Sequence, residues 1–265
     1  MARKRKRSRL DKVINSPTEK EQSTSPNLLT KYWLQRYDLF SRYDEGIEMD
    51  EEGWYSVTPE EIAVKQAERC RGKVVIDCFS GVGGNTIQFA KVCSSVIAID
   101  IDPVKVEMAI NNAMVYGVDD CVVDYVVGDF IHLAPSLKGD VLFLSPPWGG
   151  PMYNKVVCYT LDMLQPKDGY KLFQIAQSIT PNIIMFLPRN VDLAQLEELA
   201  WLSSPPLTLE KLVMKYQIRS WLMQPRIYSS SVKAVVQRLC LCVARFYSLQ
   251  MGGCNGGGVL NARRK

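Results

Sequence analysis

The chain has 265 residues, of which 47% are hydrophobic, and a formal net charge of +4. This length and apolar content predict one domain of ordinary size with flanking segments, and they exclude a chain that is disordered throughout. The single histidine excludes sites built from paired histidines, and the eight cysteines include no CxxC pair, so no metal is expected. No apolar run reaches the ~20 residues of a membrane span, and we expect a soluble protein of a reducing compartment that binds no membrane.

Residues 1–27 are mostly polar. The run RKRKRSR at 3–9 carries six positive charges and precedes a stretch rich in Ser, Thr, Pro and Glu. Such a run is typical of a nuclear address, of an RNA-binding arm or of a solvated tail. Too little apolar surface is present to form a core, so residues 1–27 are predicted to be a disordered basic tail. We expect the protein in the nucleus, with the nucleolus and Cajal bodies as candidate sites.

Residues 28–70 are predicted to form a helical N-terminal extension. Large apolar side chains between Leu29 and Phe40 recur at roughly helical spacing, which favours a helix packed on the main core. Thr58 as N-cap, Pro59 at the first helical position and acids in the first turn predict the start of a second helix within 56–70.

From residue 71 onward, apolar runs alternate with helical patterns. Strands are predicted at 73–79, 95–102, 121–130, 139–147 and 181–190, a turn followed by a helix within 80–93, and helices at 103–117 and 169–179. This alternation predicts an α/β fold with a doubly wound, mostly parallel sheet of the Rossmann-like kind. Ligands of such sheets bind at the carboxyl ends of the strands.

The first predicted strand ends in a glycine-rich turn, VVIDCFSGVGGNT. Asp77 ends the strand, and Gly81 and Gly83 lie before the following helix, where glycines let a ligand approach the backbone. The turn lacks the G-x-G-x-x-G of diphosphate sites, because an acid precedes the glycines and no phosphate-binding lysine follows. It therefore favours a cationic sulfonium ligand with an ammonium group.

Acidic residues end the next two predicted strands. Asp100 follows the turn at the distance at which an acid binds a ribose diol. Asp129 and Phe130 could hold an adenine amino group against an aromatic face. The glycine turn and the two acids, in this order, resemble the class I methyltransferases, which implies S-adenosyl-L-methionine as cofactor. Half of a nucleotide-binding dehydrogenase is the alternative.

The fourth predicted strand ends in SPPWGGP, residues 145–151. Prolines cannot continue a sheet ladder and glycines pack little, so this stretch predicts a rigid loop that presents one aromatic side chain. Ser145 and the Pro146 carbonyl could accept hydrogen bonds from the N–H groups of an exocyclic or amide nitrogen and so orient its lone pair. Trp148 would stack on a base. The pattern resembles methyltransferases that act on such nitrogens. For Trp148, a packed core aromatic is the alternative.

Longer strings make the resemblance narrower. DCFSGVGGNTIQFA, AIDIDPVKVEMAINNAMVYG, LSPPWGGPMY and FLPRN resemble the trimethylguanosine synthase family, over residues 30–210. The resemblance implies two successive methyl transfers to N2 of the 7-methylguanosine cap of small nuclear and nucleolar RNAs. It makes snRNP and snoRNP proteins candidate partners of a monomeric enzyme. Cationic 7-methylguanine suits a tryptophan face.

The resemblance also implies roles for residues at matching positions. Ser145, Pro146 and Trp148 are the implied catalytic residues. The implied cofactor pocket comprises Asp77, Gly81, Gly83, Asp100, Asp129 and Phe130, with Phe40 and Thr58 closing over it. The implied substrate contacts are Trp148, Lys31, Arg189 and Asn190. Taken alone, Lys31 and Arg189 would be solvated surface charges.

The resemblance stops near Lys211, so a methyltransferase domain is predicted over 71–211 and a divergent, partly disordered tail over 212–265. Residues 207–216 could supply one strand, a helix is predicted across 230–248, and no return strand is expected. Two other functions stay open. One is a nitrogen methyltransferase for guanine N2 of ribosomal or transfer RNA, or for protein glutamine. The other is a non-catalytic cap-binding module.

Overall fold

The computed structural model describes residues 33–203, 207–216 and 238–246. The predicted tail over 1–27 and Lys31 therefore lie outside the described residues. The helices are α1 (Arg36–Leu39), α2 (Gly53–Ser56), α3 (Glu60–Glu68), α4 (Gly84–Ala90), α5 (Pro103–Val115), α6 (Phe130–Leu133), α7 (Gly169–Ile179) and α8 (Leu193–Leu202). The strands are β1 (Val74–Asp77), β2 (Ser95–Asp100), β3 (Val123–Val127), β4 (Val141–Leu144), β5 (Ile183–Leu187), β6 (Thr208–Tyr216) and β7 (Arg238–Phe246). Within these ranges no helix combines the length and apolar character needed to cross a bilayer.

The strands form one sheet in the order β3-β2-β1-β4-β5-β7-β6, and every neighbouring pair is parallel. The central strands β4 and β5 are buried along their whole length, as expected of parallel strands covered by helices on both faces. The α/β, doubly wound, mostly parallel prediction is confirmed. Asp77 ends β1 in register with Ala98 of β2 and Phe143 of β4, so the polar strand ends meet at one edge of the sheet.

The C-terminal part of the sheet differs from the prediction. Residues 208–216 form a strand, as expected, but 238–246 form β7 and not part of a helix. β7 is the return strand that was not expected: it lies between β5 and β6 and pairs with β5 from Ile183↔Leu239 to Leu187↔Val243. A strand in the middle of a parallel sheet is apolar without a clear alternation, and such a run cannot be distinguished from a buried helix by periodicity alone.

The N-terminal extension is less helical than predicted. Its aromatic stretch forms only the four-residue α1 before a 3₁₀ turn at Tyr43–Glu45. The prediction of Thr58 as N-cap is wrong: Pro59, with extended backbone, is the N-cap, and no side chain caps α3. The Thr58 side chain is therefore not committed to the helix end, and this residue lines the cavity described below.

The extension packs along α5 and thereby reaches the carboxyl edge of the sheet. The Asn111 amide donates to the Gly46 carbonyl at 2.8 Å. The buried Asn112 amide donates to the carbonyls of Glu48 and Val82, both at 2.9 Å. These bonds join the extension, α5 and the glycine turn. Residues 52–58 consequently form one side of the cavity.

Candidate active site

A cavity of about 380 Å³ lies at the carboxyl ends of the first strands of the sheet. This volume is within the ordinary range of small-molecule sites. Eight of the sequence-predicted residues line it together: Thr58, Gly81, Asp100, Asp129, Phe130, Ser145, Pro146 and Trp148. Residues predicted from three separate motifs thus converge on one space.

Gly81 and Asp100 form a single unit of the cavity wall. Gly81 has φ +53°, a left-handed conformation that favours glycine. Its N–H donates to Oδ2 of Asp100 at 2.8 Å, and the Asp102 N–H donates to Oδ1 of Asp100 at 3.0 Å. Each carboxylate oxygen keeps a further acceptor lone pair, and Asp100 is only half-buried. Asp100 can therefore hold the turn and accept hydrogen bonds from a ligand diol.

The next two glycines serve packing. Gly83 has φ +88°, and a Cβ there would lie 3.1 Å from Ala109 of α5. A Cβ on Gly84 would lie 2.5 Å from Cγ2 of Val57 in the extension. Gly83 does not line the cavity. These glycines allow α4 to approach α5 and the extension closely.

Asp77 lies beneath the cavity and does not line it. Its side chain is fully buried, and Oδ2 accepts a hydrogen bond from Oγ1 of Thr86 at 2.7 Å. Oδ1 has no hydrogen-bond partner among the described residues. Burial raises the pKa of Asp77 to about 7, the Thr86 hydrogen bond lowers it in part, and Asp100 adds to the rise. The carboxyl is thus poised to change protonation near neutral pH.

Asp129 and Phe130 line the cavity from the start of α6. Oδ1 of Asp129 accepts from the Ile131 N–H at 2.9 Å and caps the helix. Oδ2 lies 2.7 Å from Nδ1 of the exposed His132. Phe130 is buried and meets Phe79 edge to face, with ring centroids 5.9 Å apart. The pair of aromatic rings gives this end of the cavity an apolar surface that suits a flat base.

The SPPWGGP loop forms the opposite wall. Trp148 is half-buried, and its Nε1 donates to the Phe186 carbonyl of β5 at 3.3 Å. Tyr153 meets the indole edge to face at 5.0 Å, and Phe186 lies at 5.3 Å from it. Gly149 has φ +81°, a conformation that lets the chain turn away directly after the indole. The indole is therefore held in place while it lines the cavity.

Five of the described predicted site residues lie outside the cavity lining: Asp77 and Gly83, placed above, and Phe40, Arg189 and Asn190. Phe40 is fully buried against Tyr116, with ring centroids 6.2 Å apart. Arg189 is exposed at the end of β5. The Asn190 amide donates to the Val156 carbonyl at 2.7 Å and to the Tyr153 carbonyl at 3.3 Å. Asn190 therefore ties the end of β5 to the loop that carries Tyr153.

The cavity also has lining residues that the sequence motifs did not indicate. Lys105 of α5 forms an ion pair with Glu52 of the extension and lies 3.9 Å from Asp50. Burial and Glu52 raise the pKa of Tyr55. Lys105 lies in the first turn of α5, soon after the strand that ends in Asp100, and this position could have indicated that it reaches the cavity. Glu52 and Tyr55 belong to the short helix α2 and its N-cap, whose placement depends on tertiary packing.

A polar cluster fixes the extension at its other end. Oε2 of Glu60 accepts hydrogen bonds from the Ser41 N–H at 2.6 Å and from the Tyr116 hydroxyl at 2.7 Å. Burial raises the pKa of Tyr116 to about 12, so this hydroxyl stays a donor at neutral pH. Ser41 follows Phe40, and Glu60 lies two residues after Thr58. The Ser41–Glu60 hydrogen bond thus joins the two extension segments implied to close the cofactor pocket, and Tyr116 ties both to the end of α5.

The lining suits S-adenosylmethionine. Asp100 offers acceptors for a ribose diol, and Phe79 with Phe130 offers an apolar surface for adenine. The buried Ser80 hydroxyl in the lining has no partner among the described residues and can bond a polar ligand group. In the described ranges no three His, Cys, Asp or Glu side chains are grouped to hold a metal ion.

Comparison with known proteins gives a consistent result. The model of the RNA cap guanine-N2 methyltransferase family matches residues 72–238. The trimethylguanosine synthase of Schizosaccharomyces pombe is 46% identical over 180 residues, which cover 64% of this chain and 75% of that protein. The trimethylguanosine synthase of Saccharomyces cerevisiae is 39% identical over 202 residues, covering 71% of this chain and 64% of that protein. A crystal structure assigned as a methyltransferase from Porphyromonas gingivalis W83 shares the fold, with a TM-score of 0.53, 16% identity, and coverage of 64% of this chain and 42% of that one.

Proposed function

This chain belongs to the RNA cap guanine-N2 methyltransferase family, and from this premise we propose that it methylates N2 of a 7-methylguanosine cap twice in succession. One observation carries the proposal. A single cavity is lined on one side by Gly81 and Asp100 and on the other by Ser145, Pro146 and Trp148. A cofactor and an acceptor base bound at these two walls would meet inside it.

On the cofactor side, Asp100 would accept hydrogen bonds from the ribose, and Phe130 would contact the adenine. Thr58 and the half-buried Tyr55 close this side from the extension. S-adenosylmethionine, when bound, supplies an electrophilic methyl group on a sulfonium centre. Glu52 pairs with Lys105, so the carboxylates of Asp100 and Asp129 are in excess on this side of the cavity. An excess of negative charge suits a cationic ligand.

On the acceptor side, the amine is a poor nucleophile because its lone pair is delocalised into the guanine ring. Oγ of Ser145 and the carbonyl of Pro146 would accept hydrogen bonds from the two N–H groups of the amine. These bonds would aim the nitrogen lone pair into the cavity. As the N–C bond forms and the C–S bond breaks, N2 becomes positively charged and releases one proton towards water. No histidine is among the residues that line the cavity, and this reaction needs no strong base.

Trp148 would provide selectivity for a base that is already methylated at N7. 7-Methylguanine carries a positive charge, and an indole face attracts a cation by roughly 0.5–2 kcal/mol. The hydrogen bond from Nε1 to β5 and the edge contact with Tyr153 fix the indole before the base arrives. The stacking surface is thus preorganised.

For the biological setting, we propose capped small nuclear and nucleolar RNAs as substrates of a monomeric nuclear enzyme, with snRNP or snoRNP proteins as partners. The six positive charges at 3–9 support a nuclear address. The names of the two yeast relatives support the cap as acceptor. Guanine N2 in ribosomal or transfer RNA, and protein glutamine, are the competing acceptors.

The test is transfer of labelled methyl from S-adenosylmethionine to the cap dinucleotides m7GpppG and GpppG. We expect one and then two methyl groups on m7GpppG, both at N2, and no transfer to GpppG. Ribosomal RNA, transfer RNA and a glutamine peptide serve as competing substrates in the same assay. Transfer to one of these, with m7GpppG left unmodified, would refute the proposal.

A further inference from the structure

The two rims of the cavity differ in charge. The rim formed by the extension and the ends of β2 and β3 carries the carboxylates of Glu52, Asp100 and Asp129. Lys105 on this rim pairs with Glu52, and Nδ1 of His132 lies 2.7 Å from Oδ2 of Asp129. A polyanion that left the cavity over this first rim would be repelled.

The second rim is formed by the segments that follow β4 and β5. Its acids are Asp168, which pairs with Lys171, Asp192, which caps α8, and the exposed Asp162. Lys155, Lys167 and Arg189 are all exposed there. Among the described residues, neither Lys155 nor Lys167 has a carboxylate within ion-pair distance, whereas the neighbouring Lys171 pairs with Asp168 at 3.1 Å. These two ammonium groups are available to an external anion.

Backbone contacts place this second rim beside Trp148. Lys155 is two residues from Tyr153, whose ring meets the indole at 5.0 Å. Lys167 is two residues from Gln165, whose N–H donates to the Pro147 carbonyl at 3.1 Å. Two residues span at most about 7 Å, so both lysine backbones lie close to the loop that holds the indole.

The same rim exposes apolar side chains. Met152 is 59% exposed and Val157 is 97% exposed, on either side of Lys155. Apolar groups next to unpaired cations suit a nucleotide, which presents a flat base and a phosphate. A cap base stacked on Trp148 would direct the nucleotides that follow the cap towards one of the two rims, and the second is the one whose described lysines Lys155 and Lys167 have no acidic partner.

We propose that the RNA chain downstream of the cap leaves the cavity over the second rim, with phosphates at Lys155 and Lys167 and a nucleobase against Met152 and Val157. This contact rests on the proposed cap methylation. It adds an RNA-binding surface that does not depend on the cap itself. Capped RNA should therefore be a better substrate than a cap dinucleotide.

The experiment compares methyl transfer to m7GpppG and to a capped single-stranded RNA oligonucleotide, using the whole 265-residue chain. The test variant carries Lys155→Ala and Lys167→Ala. The control variant carries Lys73→Ala and Lys138→Ala, two exposed lysines that lie one residue before β1 and three residues before β4, at the opposite edge of the sheet. Both variants lose two positive charges, so a difference between their KM values for capped RNA shows that the position of the lysines matters.

We expect the test variant to raise KM for capped RNA about fivefold and to leave KM for m7GpppG unchanged. The slope of log KM against log salt concentration should fall by about 0.7 for each lysine removed. Equal effects of the control variant, or no effect on capped RNA, would overturn the proposed surface while m7GpppG was still methylated. Failure of the unmodified chain to methylate m7GpppG would instead refute the proposed function.

Discussion

The wall of the cavity at the glycine turn is fixed by backbone contacts, whereas the wall at residues 145–151 is centred on one aromatic side chain. In the first wall, Asp100 accepts two backbone N–H groups, and a Cβ on Gly84 would collide with Val57. In the second, Trp148 rests on one hydrogen bond and two ring contacts. The first wall is built by the sheet and its helices, and the second is a loop at the end of β4.

This difference predicts which property each wall controls. Changes at Trp148 should alter recognition of the base and leave cofactor binding nearly intact. Changes beneath the glycine turn should alter cofactor binding, stability or both. The predictions below test that separation, from the largest expected effect to the smallest.

Trp148→Ala should reduce methyl transfer to m7GpppG more than 100-fold, because both the cation–π contact and the orientation of the amine are lost, about 3 kcal/mol in total. Trp148→Phe should retain part of the activity. Steady-state kinetics measure methyl transfer to the cap, and calorimetric titration measures the affinity for S-adenosylmethionine. Normal turnover by Trp148→Ala, or an equal loss of cofactor affinity, would show that the walls are not separate.

Asp100→Ala should weaken S-adenosylmethionine binding by about tenfold to a hundredfold, since a charged acceptor contributes about 1.5–3 kcal/mol. Binding of m7GpppG should change much less. Calorimetry with each ligand in turn gives the two values. Equal losses for both ligands would indicate a general loss of structure and not a local contact.

Asp77→Asn should change the pH dependence of stability. The folded-state pKa of about 7 lies above the 3.8 of an unperturbed aspartate side chain, so the folded protein binds the proton more tightly than the unfolded chain. Stability should therefore fall as pH rises from about 4 to 7, by up to about 4 kcal/mol, and stay low above pH 7. With Asn this loss disappears. Between pH 5 and pH 8, the Tm of the unmodified chain should fall relative to that of Asp77→Asn. If both Tm values change equally with pH, the raised pKa of Asp77 would be contradicted.

Tyr116→Phe should raise KM for S-adenosylmethionine about threefold, because one hydrogen bond to Glu60 contributes about 0.5–1.5 kcal/mol and steadies the extension over the cofactor side. Glu60→Gln should act in the same direction. The matched control is Glu61→Gln, which removes only the exposed pair with Lys65. An equal rise with Glu61→Gln, or a rise in KM for the cap alone, would exclude this positioning role.

Features that depend on short stretches of sequence could be predicted. The strands of the parallel sheet, the glycine turn and the placement of Asp100, Ser145 and Trp148 in one cavity all follow from local patterns and from the rule that strand ends meet. Features that depend on tertiary packing could not. Glu52 and Tyr55 reach the cavity only because Asn112 fixes the extension to α5, and Asp77 lies beneath the cavity because its strand end is buried. β7 was missed since its apolar run also fits a helix.

The central claim is that the two walls present one exocyclic amine to one methyl donor. The most direct test compares a 7-methylguanosine cap dinucleotide with its 7-methylinosine analogue, which keeps the cationic ring and lacks only the N2 amine. The analogue should bind competitively through Trp148 and accept no methyl group, while 7-methylguanosine accepts two. Methylation of the analogue would place the reaction at another atom and contradict the account.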